Sequence, residues 1–194
     1  MKSVQALKPG ESEARETVPR LAVPEPHIQV VRAILCPLYR DILDLLLLTG
    51  ARPGELLSLS EQMIDRSGTI WRSDLREHKN ARRGKSRTLF FNSTAQEILK
   101  RYLVEKPDQK LFSVRRESYS KAVAKACDTA DVPRFVPHQL RHCVATRLVD
   151  DLGTEAAQRL LGHSDRMMTE HYSKSADKQA QQAVQHLAET YRPQ

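Results

Sequence analysis

The sequence predicts a mainly helical α+β domain that carries one small antiparallel sheet. Three observations predict it. From His27 the chain reads as helix, IQVVRAIL and then LYRDILDLLLLTG, broken only at Pro37. TIWRSDLR and SRTLFFN have the composition of strands and flank a polar loop, EHKNARRGK. Everything beyond Pro137 again has helical periodicity.

Taken in order, residues 1–25 combine Pro9, Gly10, Pro19 and Pro24 with charged residues and show no periodic apolar face. They read as a flexible tail or linker, which leaves 26–194 as the folded domain. Gly50 is placed to stop the buried helix that ends in LLLLTG, since glycine readily takes the left-handed conformation of a helix terminus. A short helix should start at Pro53, where a missing N–H costs nothing. QMID is expected as a third strand beside the hairpin. Ser93 reads as the N-cap of TAQEILKRYLVE, whose Ile98, Leu99, Tyr102 and Leu103 share a side. Another helix is expected from Glu117 to Asp131, turning Ala122, Val123 and Ala126 inward. The last runs from Ala176 to Tyr191 with Ala180, Val184 and Leu187 on one face.

The 194 residues suit one domain with a substantial core, and 40% of them are hydrophobic. A net charge of +7 favours a polyanionic partner, although a solvated charged face gives the same total. Three cysteines, Cys36, Cys127 and Cys143, are an odd number without C-x-x-C spacing, which argues against a disulfide framework and against zinc. The longest apolar run is too short to span a bilayer and is interrupted by Asp44. With no apolar secretory signal at the N-terminus, the expectation is a cytoplasmic protein without a membrane partner.

The chemistry concentrates in Pro137–Lys174. His138 and Arg141 stand three apart, so a helix beginning near Pro137 would put them on one face. His163 follows in LLGH, and Tyr172 comes nine residues later. Two histidines, an arginine and a tyrosine, without carboxylates or cysteines at ligand spacing, suit a phosphate and a nucleophile better than a metal. Upstream, Arg52 in TGARPGE follows a buried helix, from which its planar fork could grip phosphate. Glu55 is spaced to hold that guanidinium. Lys79 opens a basic run in the hairpin loop with Arg82, Arg83, Lys85 and Arg87, where exposed charge would contact DNA phosphates. Each residue alone has an ordinary structural explanation; their order does not.

In that order, Arg52 with Glu55, Lys79, His138-x-x-Arg141, His163 and Tyr172 resemble the catalytic domain of the tyrosine recombinases, the phage-integrase and Xer-like family. TGARPGELLSL is similar to the family's first arginine box, HQLRHCVATRL to its second and LLGHSDRMMTEHY to its third. The resemblance covers about residues 27–190 and implies that fold with a three-stranded sheet. It also implies a site-specific recombinase or integrase that cleaves and rejoins double-stranded DNA through a 3′-phosphotyrosine, without metal or cofactor. Tyr172 would be the nucleophile and His138 its base. Arg52, Arg141 and His163 would stabilise the phosphorane, and Lys79 would be the general acid, with Glu55 orienting the others. Lys85 is the rival for the acid, and His171 is a bystander beside the nucleophile. In relatives the C-terminal helix docks onto a neighbouring subunit of a DNA-bound homotetramer; without DNA, folding back on its own domain is equally expected. Gln139 and Cys143 depart from the usual aspartate and threonine or serine. The helical core-binding domain that usually precedes this one is not recognisable. That leaves a non-catalytic DNA-binding regulator derived from an integrase, and a type IB topoisomerase-like enzyme, as alternative readings.

Overall fold

A computed structural model describes residues 21–75, 87–103, 108–161 and 174–191. The elements run α1 (Glu25–Ile34), α2 (Pro37–Thr49), α3 (Pro53–Leu57), β1 (Trp71–Leu75), β2 (Arg87–Phe91), α4 (Ser93–Lys100), α5 (Arg116–Thr129), α6 (His138–Leu152), α7 (Thr154–Leu161) and α8 (Lys174–Thr190). The chain is mainly helical, as expected.

Helix α2 is the axis. Every residue from Asp41 to Thr49 is buried, and the helix packs against α1, α3, α4, α6, α8 and β2. A helix buried on every side along such a stretch is central. Its two buried carboxylates are paired from outside. Arg32 of α1 clamps Asp44 with hydrogen bonds of 2.7 and 2.8 Å, and the Tyr102 hydroxyl donates to Asp41 at 2.6 Å. Thr49 closes the helix by donating its hydroxyl to the Leu45 carbonyl. Gly50 then takes φ +61°, and its N–H donates to the Leu46 carbonyl at 2.9 Å.

The sheet departs from expectation. Among the described residues it has two strands, β1 and β2, paired antiparallel with Trp71 opposite Phe91 and Leu75 opposite Arg87. QMID is not the third strand. Glu61–Met63 forms a single 3-10 turn, and only Asp65 reaches the sheet, in an isolated bridge to Arg72. The Asp65 carboxylate accepts from both the Ser67 N–H and its hydroxyl, at 3.0 and 2.7 Å, which turns the chain away after one residue of pairing.

The start of α4 also differs. Asn92, not Ser93, is the N-cap: its Oδ1 accepts from the Ala95 N–H at 2.9 Å while its Nδ2 donates to the Val184 carbonyl of α8 at 2.6 Å. An amide can do both at once; a serine could cap but could not reach α8. Ala180, Val184 and Leu187 are fully covered, and α8 packs on α7, α2, α4, α6 and β2 of its own chain. Of the two arrangements open to this helix, the structure therefore contains the folded-back one. Of the expected tail, residues 1–20 lie outside the described residues. Its last residues lie against α6, where the Val23 N–H donates to Cys143 Sγ at 3.1 Å and Gln139 Nε2 to the Leu21 carbonyl at 3.0 Å.

Gly50 is the tightest point of this packing. A Cβ there would sit 2.5 Å from Leu161 Cδ2 and 3.1 Å from Val144 Cγ1. Gly50→Ala is expected to destabilise the fold by about 1–3 kcal/mol, from left-handed strain and displacement of Leu161. At about 2–4 °C per kcal/mol for a chain of this size, thermal melting should register it clearly. An unchanged melting temperature would mean that α2, α6 and α7 do not meet as closely as described.

Candidate phosphate-binding site

The end of α2 delivers the first of the expected site residues. After Gly50 the chain is extended through Arg52, the N-cap of α3, with Pro53 at the first helical position. Glu55 is the third residue of that helix. Its carboxylate accepts from the Arg52 N–H at 2.9 Å and from Arg52 Nη1 at 2.6 Å. Expected from sequence as the orienter of an arginine, Glu55 holds Arg52 by backbone and side chain together. Arg52 remains partly exposed, whereas Glu55 is buried.

Arg141 reaches the same place from α6. It is 3% exposed, and its Nη1 donates at 2.6 Å to the carbonyl of Gly50, two residues before Arg52. Its Nη2 donates to the carbonyl of Leu161, the last residue of α7. A guanidinium carries five N–H donors, so three remain beyond these two bonds. His138 stands one turn earlier on α6, exposed, with its ring edge-on to His142 at 5.4 Å between centroids.

Arg87 completes the cluster but not as expected. Expected in the second strand and as one of the DNA-contacting residues, it does begin β2, but its side chain is 4% exposed. Its Nη1 donates to the Leu160 carbonyl, and its Nε lies 3.7 Å from Glu55 Oε2. The signal was in the strand periodicity: Arg87, Leu89 and Phe91 share one face, and the latter two belong in the core. His142 was not singled out, and its i, i+4 spacing from His138 is the signal for that ring contact.

The electrostatics follow from one carboxylate among several cations. Burial pushes the Glu55 carboxyl up, but the charge of Arg87 and the hydrogen bonds from Arg52 outweigh it and hold the group below its ordinary value. Burial, then repulsion from Arg87 and Arg52, pushes Arg141 down to about 9, against the pull of Glu55. His138 lies below the ordinary 6.5, through partial loss of solvation, then His142, Arg141 and Arg52. A buried arginine lowered by burial and by neighbouring cations marks a place suited to an anion. Among the described residues no cluster of histidine, cysteine or carboxylate side chains could hold a metal ion. Lys79, Arg82, Arg83, Lys85, His163 and Tyr172 lie outside the described residues.

Comparison with known proteins points the same way. The model of the phage integrase family matches residues 33–179. The tyrosine recombinase XerA of Saccharolobus solfataricus is 31% identical over 152 residues, covering 76% of this chain and 50% of that protein. A tyrosine recombinase XerC of Corynebacterium glutamicum is 29% identical over 154 residues, covering 73% of this chain and 48% of that one. The chain thus spans about half the length of these relatives. Among solved structures, the integrase from mycobacterium phage Brujita shares the fold with a TM-score of 0.65 at 21% identity, covering 92% of this chain and 61% of its own. The XerH site-specific recombinase bound to its difH substrate shares it with a TM-score of 0.58 at 17% identity, covering 89% and 58%. With the family pattern matched over residues 33–179, from the end of α1 to the start of α8, the chain belongs to the phage integrase family.

Proposed function

We propose that this chain is the catalytic part of a site-specific DNA recombinase or integrase, acting on duplex DNA without metal or cofactor. One observation carries the proposal. Arg52 and Arg141, distant in sequence, converge at the end of α2 beside Arg87, three guanidinium groups around the single Glu55 carboxylate described there. A backbone phosphate is an anion of the right geometry for two such forks.

In this reading Tyr172 Oη attacks the phosphorus, the bond to the 5′-oxygen breaks, and a 3′-phosphotyrosine forms. A tyrosine hydroxyl, with a pKa of about 10, needs a base. His138 is suited to the role because partial burial, then the charges of His142, Arg141 and Arg52, favour its neutral ring, and it takes the phenolic proton. Arg52 and Arg141 stabilise the charge that develops on the non-bridging oxygens, His163 donates to the same phosphate, and Lys79 protonates the departing 5′-oxygen. Rejoining is the reverse, with a 5′-hydroxyl as nucleophile. Tyr172, His163 and Lys79 enter on the family pattern. Arg82, Arg83 and Lys85 serve as backbone contacts to DNA. The XerH and Tn1549 integrase relatives were solved with DNA substrates, which supports duplex DNA as the partner. Assembly as a homotetramer that exchanges C-terminal helices requires α8 to leave the surface on its own domain.

A nicked suicide substrate tests the chemistry. The chain should form a covalent protein–DNA adduct, Tyr172→Phe should form none, and Arg141→Ala should lose about 100-fold or more of the adduct rate with a much smaller loss of binding. Binding with no adduct would favour the regulator reading. DNA with sulfur in the 5′-bridging position needs no proton donor, so it should rescue Lys79→Ala and not Arg141→Ala; absence of rescue would pass the acid role to Lys85. A lowered His138 must lose its proton before it can act, so the adduct rate should hold at pH 7 and fall only below 6.5. An acid limb centred above 6.5 would remove His138 as the base.

A further inference from the structure

The hairpin's basic run ends in a buried residue, Arg87. Arg87 stands on the inward face of β2 with Leu89 and Phe91, as buried as Arg141, and its described contacts are with protein groups. A guanidinium is too costly to bury without partners, so its partners indicate its purpose.

Two of them lie on different elements. The Glu55 carboxylate, 3.7 Å from Arg87 Nε, is the group that orients Arg52. The Leu160 carbonyl accepts from Arg87 Nη1, and the next carbonyl, Leu161, accepts from Arg141 Nη2. Both belong to the last turn of α7, where helix carbonyls have no intrahelical donor and carry the negative end of the dipole. Arginines from β2 and α6 therefore take successive acceptors at one helix end, and each also reaches the α2–α3 junction. Arg141 does so through Gly50 and Arg87 through Glu55.

We propose that Arg87 is a positioning residue of the phosphate cradle. From β2 it fixes the carboxylate that holds Arg52, and it shares with Arg141 the anchoring of the end of α7. This deepens the function proposed above and rests on it for its effect on rate. A planar fork is required because the two acceptors lie on different elements; a lysine could satisfy one of them but not both.

The test uses the whole chain with Arg87→Met, which keeps the length and removes the charge, and Arg87→Lys, which keeps the charge and removes the fork. Two readouts are taken: single-turnover adduct formation at saturating DNA between pH 5 and 8, and titration of the 13C-labelled Glu55 carboxylate, assigned with Glu55→Gln. Arg87 is the strongest influence holding the Glu55 carboxyl down. In Arg87→Met its titration should therefore move to higher pH, and the adduct rate should fall by about 10- to 100-fold. The loss should be greatest at pH 5 and shrink as Glu55 ionises, with DNA affinity within about 2-fold of wild type. Arg87→Lys should restore the Glu55 titration but only part of the rate. A uniform loss at every pH, with the Glu55 titration unmoved, would reduce Arg87 to a core residue and overturn the proposal. So would a wild-type rate in Arg87→Met. Should Arg87→Met fail to fold, Arg87→Lys decides: a fully wild-type rate rejects the need for the fork, and a partial rate with normal Glu55 titration supports it. If the wild-type chain forms no adduct, the functional reading fails by itself, and the Glu55 titration still decides whether Arg87 governs that carboxylate.

Discussion

Glu55 is the only carboxylate described at the place where Arg52, Arg87 and Arg141 come together, and that imbalance organises the site. Arg52 is fixed to it by hydrogen bonds, Arg87 faces it at 3.7 Å, and Arg141 feels it as the attraction opposing two like charges. Burying charge is unfavourable, and burying an excess of one sign more so. The cost is tolerated because the arginine donors are directed at backbone carbonyls of Gly50, Leu160 and Leu161, fixed dipoles that need not reorganise. What they cannot supply is a full negative charge. In the proposed function a backbone phosphate would supply one, and the pentacoordinate state reached from it would supply more, so the attraction would grow along the reaction. Preorganised donors act on a rate in that way.

Rigidity has to come from elsewhere, and α2 provides it. From Asp41 to Thr49 the helix is buried on all sides, so its end cannot shift without disturbing most of the core. Gly50 lets Val144 and Leu161 close over that end, which brings α6 and α7 near enough for Arg141 to bridge them. The placement of one guanidinium thus depends on a glycine that lacks a side chain. Position, packing and charge are set by the same few residues.

Much of this was legible in sequence because its causes are local. The apolar run before Thr49 announced a buried helix, Gly50 its end, Pro53 the start of the next, and the spacing of His138 and Arg141 a shared face. What escaped the sequence depended on partners distant along the chain. QMID has strand composition, but the Asp65 carboxylate captures Ser67 and turns the chain. Ser93 is a sound cap until the Asn92 amide finds the Val184 carbonyl. The apolar stripe of α8 said that it would be covered and not by which copy; a periodic pattern carries no information about whose surface it meets. Arg87 was placed in the right strand but expected at the surface, for a different reason. Its neighbours in the basic loop suggested solvent, while its parity with Leu89 and Phe91 pointed inward, and in a strand the period is the stronger argument.

The two departures from the family boxes show how such partners redefine a motif. Gln139 Oε1 accepts from the Val136 N–H at 3.1 Å, which an aspartate could also do, but Nε2 donates to the Leu21 carbonyl, which an aspartate could not. Cys143, one turn on, accepts from the Val23 N–H and gives its weak donor to the Gln139 carbonyl at 3.2 Å. Both therefore bind the segment that leads into α1 onto the helix that carries His138 and Arg141. Since α1 is clamped to α2 by the pair of Arg32 and Asp44, the entering segment is tied to both helices that form the cluster. Gln139 lies between His138 and Arg141 on α6 and Cys143 two residues beyond, so the entering segment is anchored on both sides of Arg141.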